Sequence, residues 1–252
     1  EGGQPGRRRR TAEKRRVDCR GLLSCPAPCA PAMTSVRASV SEAEWARFLQ
    51  ARDQDVAAAE EMLQVHLQWR AASLPIPEGQ PRVGAGLPSW MFFHGNGIDD
   101  TPLFWINGAM YDPEAAAPEA YALAAAALID ERLPRESPEQ CTVLLDVRGG
   151  QDWPNPQAYT LLSPIRTITR LLSDNLPERC RRVIIFPVPW GASTVWSAVK
   201  LFLDQRTADK VVLVSGPVSR GSPCPEALRE FVTFEQVRPD QCDRYAALKE
   251  GG

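Results

Sequence analysis

Beyond residue 100 the sequence alternates short apolar runs with longer stretches of helical periodicity, and this order leaves few architectures open to it. The runs at 103–106, 142–145, 183–186 and 211–214 are too short for helices and rich in Val, Ile and Leu, as buried strands are. Helices are expected between them, near 118–132, 157–174 and 193–203. Parallel neighbours need a connection long enough to carry the chain back, so strands alternating with helices imply an α/β sheet with crossover connections. The expected fold class is therefore α/β.

Helical signals also precede this region. Ser41 with Glu44 three residues later forms a capping box, and Trp45, Phe48 and Leu49 fall on one face of a helix over 42–52. Asp55 caps a second helix in which Ala59, Met62, Leu63 and Leu67 repeat at helical spacing until Pro75 and Pro77. A small helical layer is thus expected over 41–77, a Pro/Gly linker over 78–89, and a larger domain over 88–252. Residues 1–40 are rich in Arg, Gly and Pro without a periodic apolar face, which predicts a disordered tail. One reading of Met33 is that it begins the protein and that residues 1–32 are a gene-model artefact.

Composition narrows the function. The 252 residues are 44% apolar, enough to bury a core and line a cavity, and the net charge of -2 gives no global attraction to nucleic acid. No apolar run reaches about 18 residues, the length needed to span a bilayer. The seven cysteines show no C-x-x-C pair, and Cys19, Cys25 and Cys29 lack a fourth ligand, so free thiols, no metal and a reducing cytoplasmic setting are expected. Only two histidines occur, His66 in the second helix and His94 in what reads as a polar turn. With no G-x-S-x-G, H-E-x-x-H or Walker loop, no catalytic residue is assigned. A strand ending in Asp146 before Gly149 and Gly150 is the one feature that suits a nucleotide-binding enzyme, and it lacks the G-x-G-x-x-G spacing.

A further stretch is amphipathic. Val195, Trp196, Val199, Phe202 and Leu203 form an apolar stripe, with Gly191 just before it able to absorb a change of backbone angle, so this helix suits either a lid or an ordinary core element.

Four segments, taken in order, resemble one family. FLQARDQDVAAAEEMLQVHLQWR at 48–70, TVLLDVRGG at 142–150, the long segment from Asp174 that contains PERCRRVIIFPVPWG and TADKVVLV, and the closing LKEGG are similar to the CRAL-TRIO family over about 41–252. The resemblance implies a mixed β-sheet with flanking helices forming an apolar lipid pocket, gated by an amphipathic helix and preceded by the helical layer. By its phosphatidylinositol/phosphatidylcholine transfer branch it implies a headgroup site at Arg52, Glu178, Thr207 and Lys210. Arg52 and Lys210 would donate charge-assisted hydrogen bonds to a phosphodiester, while Glu178 would accept from ring hydroxyls. The branch's choline-lipid site reads here as Gln140, Cys141 and Thr142, which leaves Thr142 as the candidate for a second lipid.

The resulting expectation is a monomeric, non-enzymatic carrier of one phospholipid, phosphatidylinositol. It would transfer that lipid between membranes, or present it, with transient membrane contact, no nucleic-acid partner and no cofactor besides the bound lipid. Two rivals stay open at this point: another apolar ligand of the tocopherol, retinoid or sterol type, since fold does not fix ligand, and a protein-interaction scaffold whose cavity has collapsed.

Overall fold

The helices begin where their caps dictate. In a computed structural model that describes residues 36–149, 158–189, 193–201, 203 and 205–249, Ser41 accepts a hydrogen bond from the Glu44 amide at 3.1 Å and opens α1, Glu42–Ala51. Asp55 accepts from the Ala58 amide at 3.0 Å and opens α2, Val56–Ser73. Phe48, Met62 and Leu63 close the contact between the two helices. Val36 and Val40 pack against the same cluster, and Val36–Ser39 forms a 3-10 turn, so the end of the expected disordered tail is ordered. The remainder of that tail, residues 1–35, lies outside the described residues.

After two short strands in the linker, β1 Arg82–Val83 and β2 Gly86–Leu87, the chain enters a five-stranded sheet. Its strands are β3 Met91–Asn96, β4 Pro102–Asn107, β5 Cys141–Asp146, β6 Cys180–Val188 and β7 Val211–Ser215, side by side in chain order. The first pair is antiparallel and the other three are parallel, which makes the sheet mixed. Four strands stand where the apolar runs predict them. β3 was not predicted, and it places His94 in a strand and not in a turn. Its Met-Phe-Phe run is short and interrupted by Gly95, whose φ of +65° bends the strand where its register shifts against β4. Gln236 fills the space a side chain would need there, with its carbonyl 2.6 Å from an idealised Cβ.

Each crossover from β4 to β7 advances one place in the same direction. Right-handed connections then put all the connecting helices on one face of the sheet: α3 Pro118–Arg132, α4 Leu162–Asn175, α5 Ser193–Lys200 and the single turn α6 Gln205–Asp209. Nothing in that topology covers the other face. Residues 224–248 do so as a chain of 3-10 turns, with Leu228, Val232, Val237, Tyr245 and Leu248 packed on Leu103, Trp105, Leu144, Ile184 and Phe186.

That cover is fastened by a buried ion cluster at the end of β5. Asp146, 1% exposed, receives Arg148 Nε at 3.0 Å and Nη2 at 2.7 Å, Arg244 Nε at 2.8 Å and the Tyr245 hydroxyl at 3.0 Å. Arg148 also donates to the carbonyls of Ser222 and Arg244, both at 3.0 Å. Burial alone would push the Asp146 carboxyl up, but its bonds and charge contacts with Arg148 and Arg244 outweigh this and hold it below the usual carboxylate value.

Two results should follow. Tyr245→Phe, which loses one bond to Asp146, should cost about 1–3 kcal/mol, and Arg148→Met, which strands part of a buried charge, about 3–5 kcal/mol. Because the folded-state value of Asp146 is lowered, its stabilisation is full above the unfolded value of about 4 and is lost as the pH falls through the folded one. Urea midpoints measured across this range should fall in acid for the parent, and less steeply for Arg148→Met.

Candidate functional site

Side chains alternate along a strand, so the residues that do not face the C-terminal cover face the helices. Near β4 this face is better covered: Phe104, Ala125 and Ile129 belong to one buried cluster with α3, and they form the inner border of the open space. Toward β7 it is less so. Leu144 and Ile184, on the covered side, are 1% and 0% exposed, whereas their neighbours Val143, Leu145, Val183 and Ile185 are only half-buried and Leu213 is 36% exposed. Between these residues and α4 and α5 lies a cavity of about 960 Å³.

Ile165, Ile168 and Leu172 of α4 line the far wall, and Trp196, Val199 and Leu203 another. Their spacing is that of an amphipathic helix whose apolar side meets a void. Cys141 and Cys180, register partners on β5 and β6, also line it. Burial raises both thiols, Cys180 to about 11, so they serve as small apolar surface and not as thiolates. So much apolar surface left without a packing partner fits a space that an apolar molecule fills.

Polar groups gather at one end, and the four headgroup positions taken from the family resemblance are all among the lining residues. Lys210 Nζ donates to Glu178 Oε2 at 2.9 Å, with the side chains 24% and 11% exposed. The Thr207 carbonyl accepts from the Lys210 amide at 3.1 Å, which fixes α6 against the start of β7. Arg52 is the C-terminal cap of α1, and its exposed side chain has no partner among the described residues. Two further residues here carry no motif that sequence reasoning could have used. Arg206 of α6 pairs with Asp53 and the Gln50 carbonyl, drawing the α1–α2 turn to the mouth. Of the lining cations, Lys210 and Arg206 are each matched to a carboxylate and Arg179 is spent on backbone carbonyls, which leaves Arg52 as the cation without a partner among the described residues.

Other expectations are placed differently. Thr142 faces the C-terminal side of the sheet, 2% exposed and bonded to the Thr101 hydroxyl at 2.8 Å, so it does not line the cavity and is withdrawn as a second-lipid residue. It sits one residue from Cys141 and Val143, and strand alternation turns it to the opposite side. α5 ends at Lys200, earlier than predicted, with Val195 in its backbone, and Gly191 and Phe202 of the expected gate lie outside the described residues. Asp146, the one feature that suited a nucleotide site, has both carboxylate oxygens engaged by Arg148, Arg244 and Tyr245. His66 is 2% exposed, its ring tilted against Phe48 at 5.1 Å and its Nε2 3.6 Å from Glu44, and it is not among the cavity-lining residues. Among the described residues no helix is long and apolar enough to cross a membrane, and no cluster of metal-ligating side chains occurs.

Comparison with known proteins agrees with this geometry. The solved structure described as the crystal structure of Sfh5 is similar, with a TM-score of 0.56 at 15% identity over 69% of this chain. The chain spans about 64% of the length of that protein, and at such identity the likeness concerns the fold. The family model for the CRAL/TRIO domain matches residues 89–237, more than half of the chain and all five strands of the sheet. The chain therefore belongs to the CRAL/TRIO domain family.

Proposed function

We propose that this protein is a non-enzymatic carrier that encloses one phospholipid, phosphatidylinositol, and transfers it between membranes or presents it. The observation that carries this reading is a mainly apolar cavity of about 960 Å³ whose polar lining residues include Arg52, Glu178, Thr207 and Lys210. Acyl chains suit the walls. At the mouth a phosphodiester suits the unmatched charge of Arg52, and inositol hydroxyls suit the alternating donor and acceptor of Lys210 and Glu178. A sterol or tocopherol would leave Arg52 without an anion, and the open cavity argues against a collapsed scaffold.

Burying acyl chains is worth about 0.8 kcal/mol per methylene, so a two-chain lipid cannot leave into water at a useful rate. Exchange therefore belongs at a bilayer surface. α5 forms one cavity wall with Trp196 and Val199, and Leu201 directly after it is 82% exposed, an apolar side chain suited to a headgroup boundary.

Mass spectrometry of lipid extracted from the purified protein should find phosphatidylinositol at up to one per chain, and its absence after incubation with vesicles that contain it would refute the assignment. Lys210→Ala and Glu178→Ala should each weaken phosphatidylinositol uptake by about 1.5–3 kcal/mol with the fold retained. Leu201→Asp should leave lipid affinity intact and slow vesicle-to-vesicle transfer, because the change lies on the surface. Normal transfer by Leu201→Asp would place the membrane contact elsewhere.

A further inference from the structure

Glu178 has an unusual backbone. Its φ is +56°, in the left-handed region that a residue with a long side chain seldom occupies, and it persists only where its surroundings enforce it. The residue that follows shows how. Arg179, 4% exposed, spends its guanidinium on four carbonyls of one loop: Nη1 on Ser137 at 2.9 Å and Glu139 at 2.8 Å, Nη2 on Pro134 at 2.6 Å and Leu133 at 3.2 Å. It makes no ion pair among the described residues, so its fit is to the backbone of that loop. From the same loop Gln140 Nε2 donates to the Glu178 carbonyl at 2.9 Å. Arg47 of α1 holds the loop from the other side, donating to Ser137 at 2.7 Å and Arg135 at 2.9 Å. The loop between α3 and β5 is thus gripped by two arginines and in turn grips Glu178.

We infer that Gln140 and Arg179 are positioning residues which hold Glu178 in its left-handed conformation and so aim its carboxylate at Lys210 and the cavity mouth. Neither is placed to bind the ligand through a polar side-chain atom, since Gln140 is not among the cavity-lining residues and the Arg179 guanidinium is spent on backbone carbonyls. Without this hold, Glu178 would relax toward an ordinary backbone angle and its carboxylate would swing off Lys210. The geometry stands on its own, while its value for lipid choice rests on the headgroup site proposed above.

Gln140→Met tests this most cleanly, because Gln140 is half-buried, its one bond described here goes to Glu178, and Met keeps its length. A double-mutant cycle with Glu178→Gln and Lys210→Met, read from unfolding midpoints, measures the pair's coupling without any lipid. In the parent the pair should favour the folded state by roughly threefold to tenfold, and in the Gln140→Met background this factor should fall toward unity. In parallel, vesicles of phosphatidylcholine doped with phosphatidylinositol or phosphatidylglycerol compare two anionic lipids, only one of which carries the inositol ring. Gln140→Met should lower the preference for phosphatidylinositol by a similar factor and leave phosphatidylglycerol uptake unchanged, and Arg179→Lys, which cannot span four carbonyls, should act in the same direction. Retained coupling in Gln140→Met, or an equal loss of both lipids, would overturn the positioning role. Lost coupling in a protein that never preferred phosphatidylinositol would leave the positioning role standing and overturn the headgroup reading instead.

Discussion

The carboxylate of Asp146 is the point at which the sheet and its C-terminal cover are fastened together. Every crossover helix lies on one side of the sheet, so the other side depends on a segment that has no regular helix or strand to stiffen it. Hydrophobic contact supplies the attraction but is not directional. The bonds from Arg148, Arg244 and Tyr245 to one carboxylate supply the direction. A buried cluster of this kind is weak evidence for net stability against an apolar replacement, since desolvation offsets much of the attraction. What it fixes is place: the C-terminal turns meet the end of β5 in one register, and Trp105, Phe186 and Tyr245 then meet edge to face, Trp105 at 5.1 Å and Phe186 at 6.3 Å from the tyrosine ring.

With that side solid, the helix side is free to be hollow. The cavity lies where α4 and α5 leave the helix side of β5, β6 and β7 only partly covered, and it reaches Ala125 and Ile129 of α3. Removing so many apolar contacts from one side would weaken an ordinary sheet. Here the opposite side carries a complete core.

Much of this was legible in the sequence and some was not, for physical reasons. Apolar runs bounded by polar residues marked β4 to β7, and Ser41 and Asp55 marked the starts of α1 and α2, because strand burial and capping are local properties. β3 was missed because its pleat is broken by Gly95 and its last residues are polar, so no period shows in six residues. The C-terminal cover was missed because 3-10 turns leave no periodic trace. Of the candidate site, motifs of the resembled family pointed to Glu178 and Lys210, and the 2.9 Å bond between them brings together residues 32 positions apart. Arg206 and Asp53 had no such signal, since their pairing links the helical layer to α6 and only the tertiary fold makes them neighbours. Thr142 shows the opposite limit: a motif match one residue out of phase points a side chain through the sheet to the wrong side.

The two-sided character of β5 and β6 has a consequence for how such a domain can diversify. Even-numbered positions such as Leu144 and Ile184 belong to the solid core, and odd-numbered neighbours such as Val143, Leu145, Val183 and Ile185 line the cavity. The two sets are interleaved residue by residue yet do not touch the same partners. Volume can therefore be added or removed at the odd positions, reshaping which molecules fit, while the even positions go on holding the framework unchanged. A lineage built on this sheet can explore new ligands by single substitutions without first acquiring spare stability.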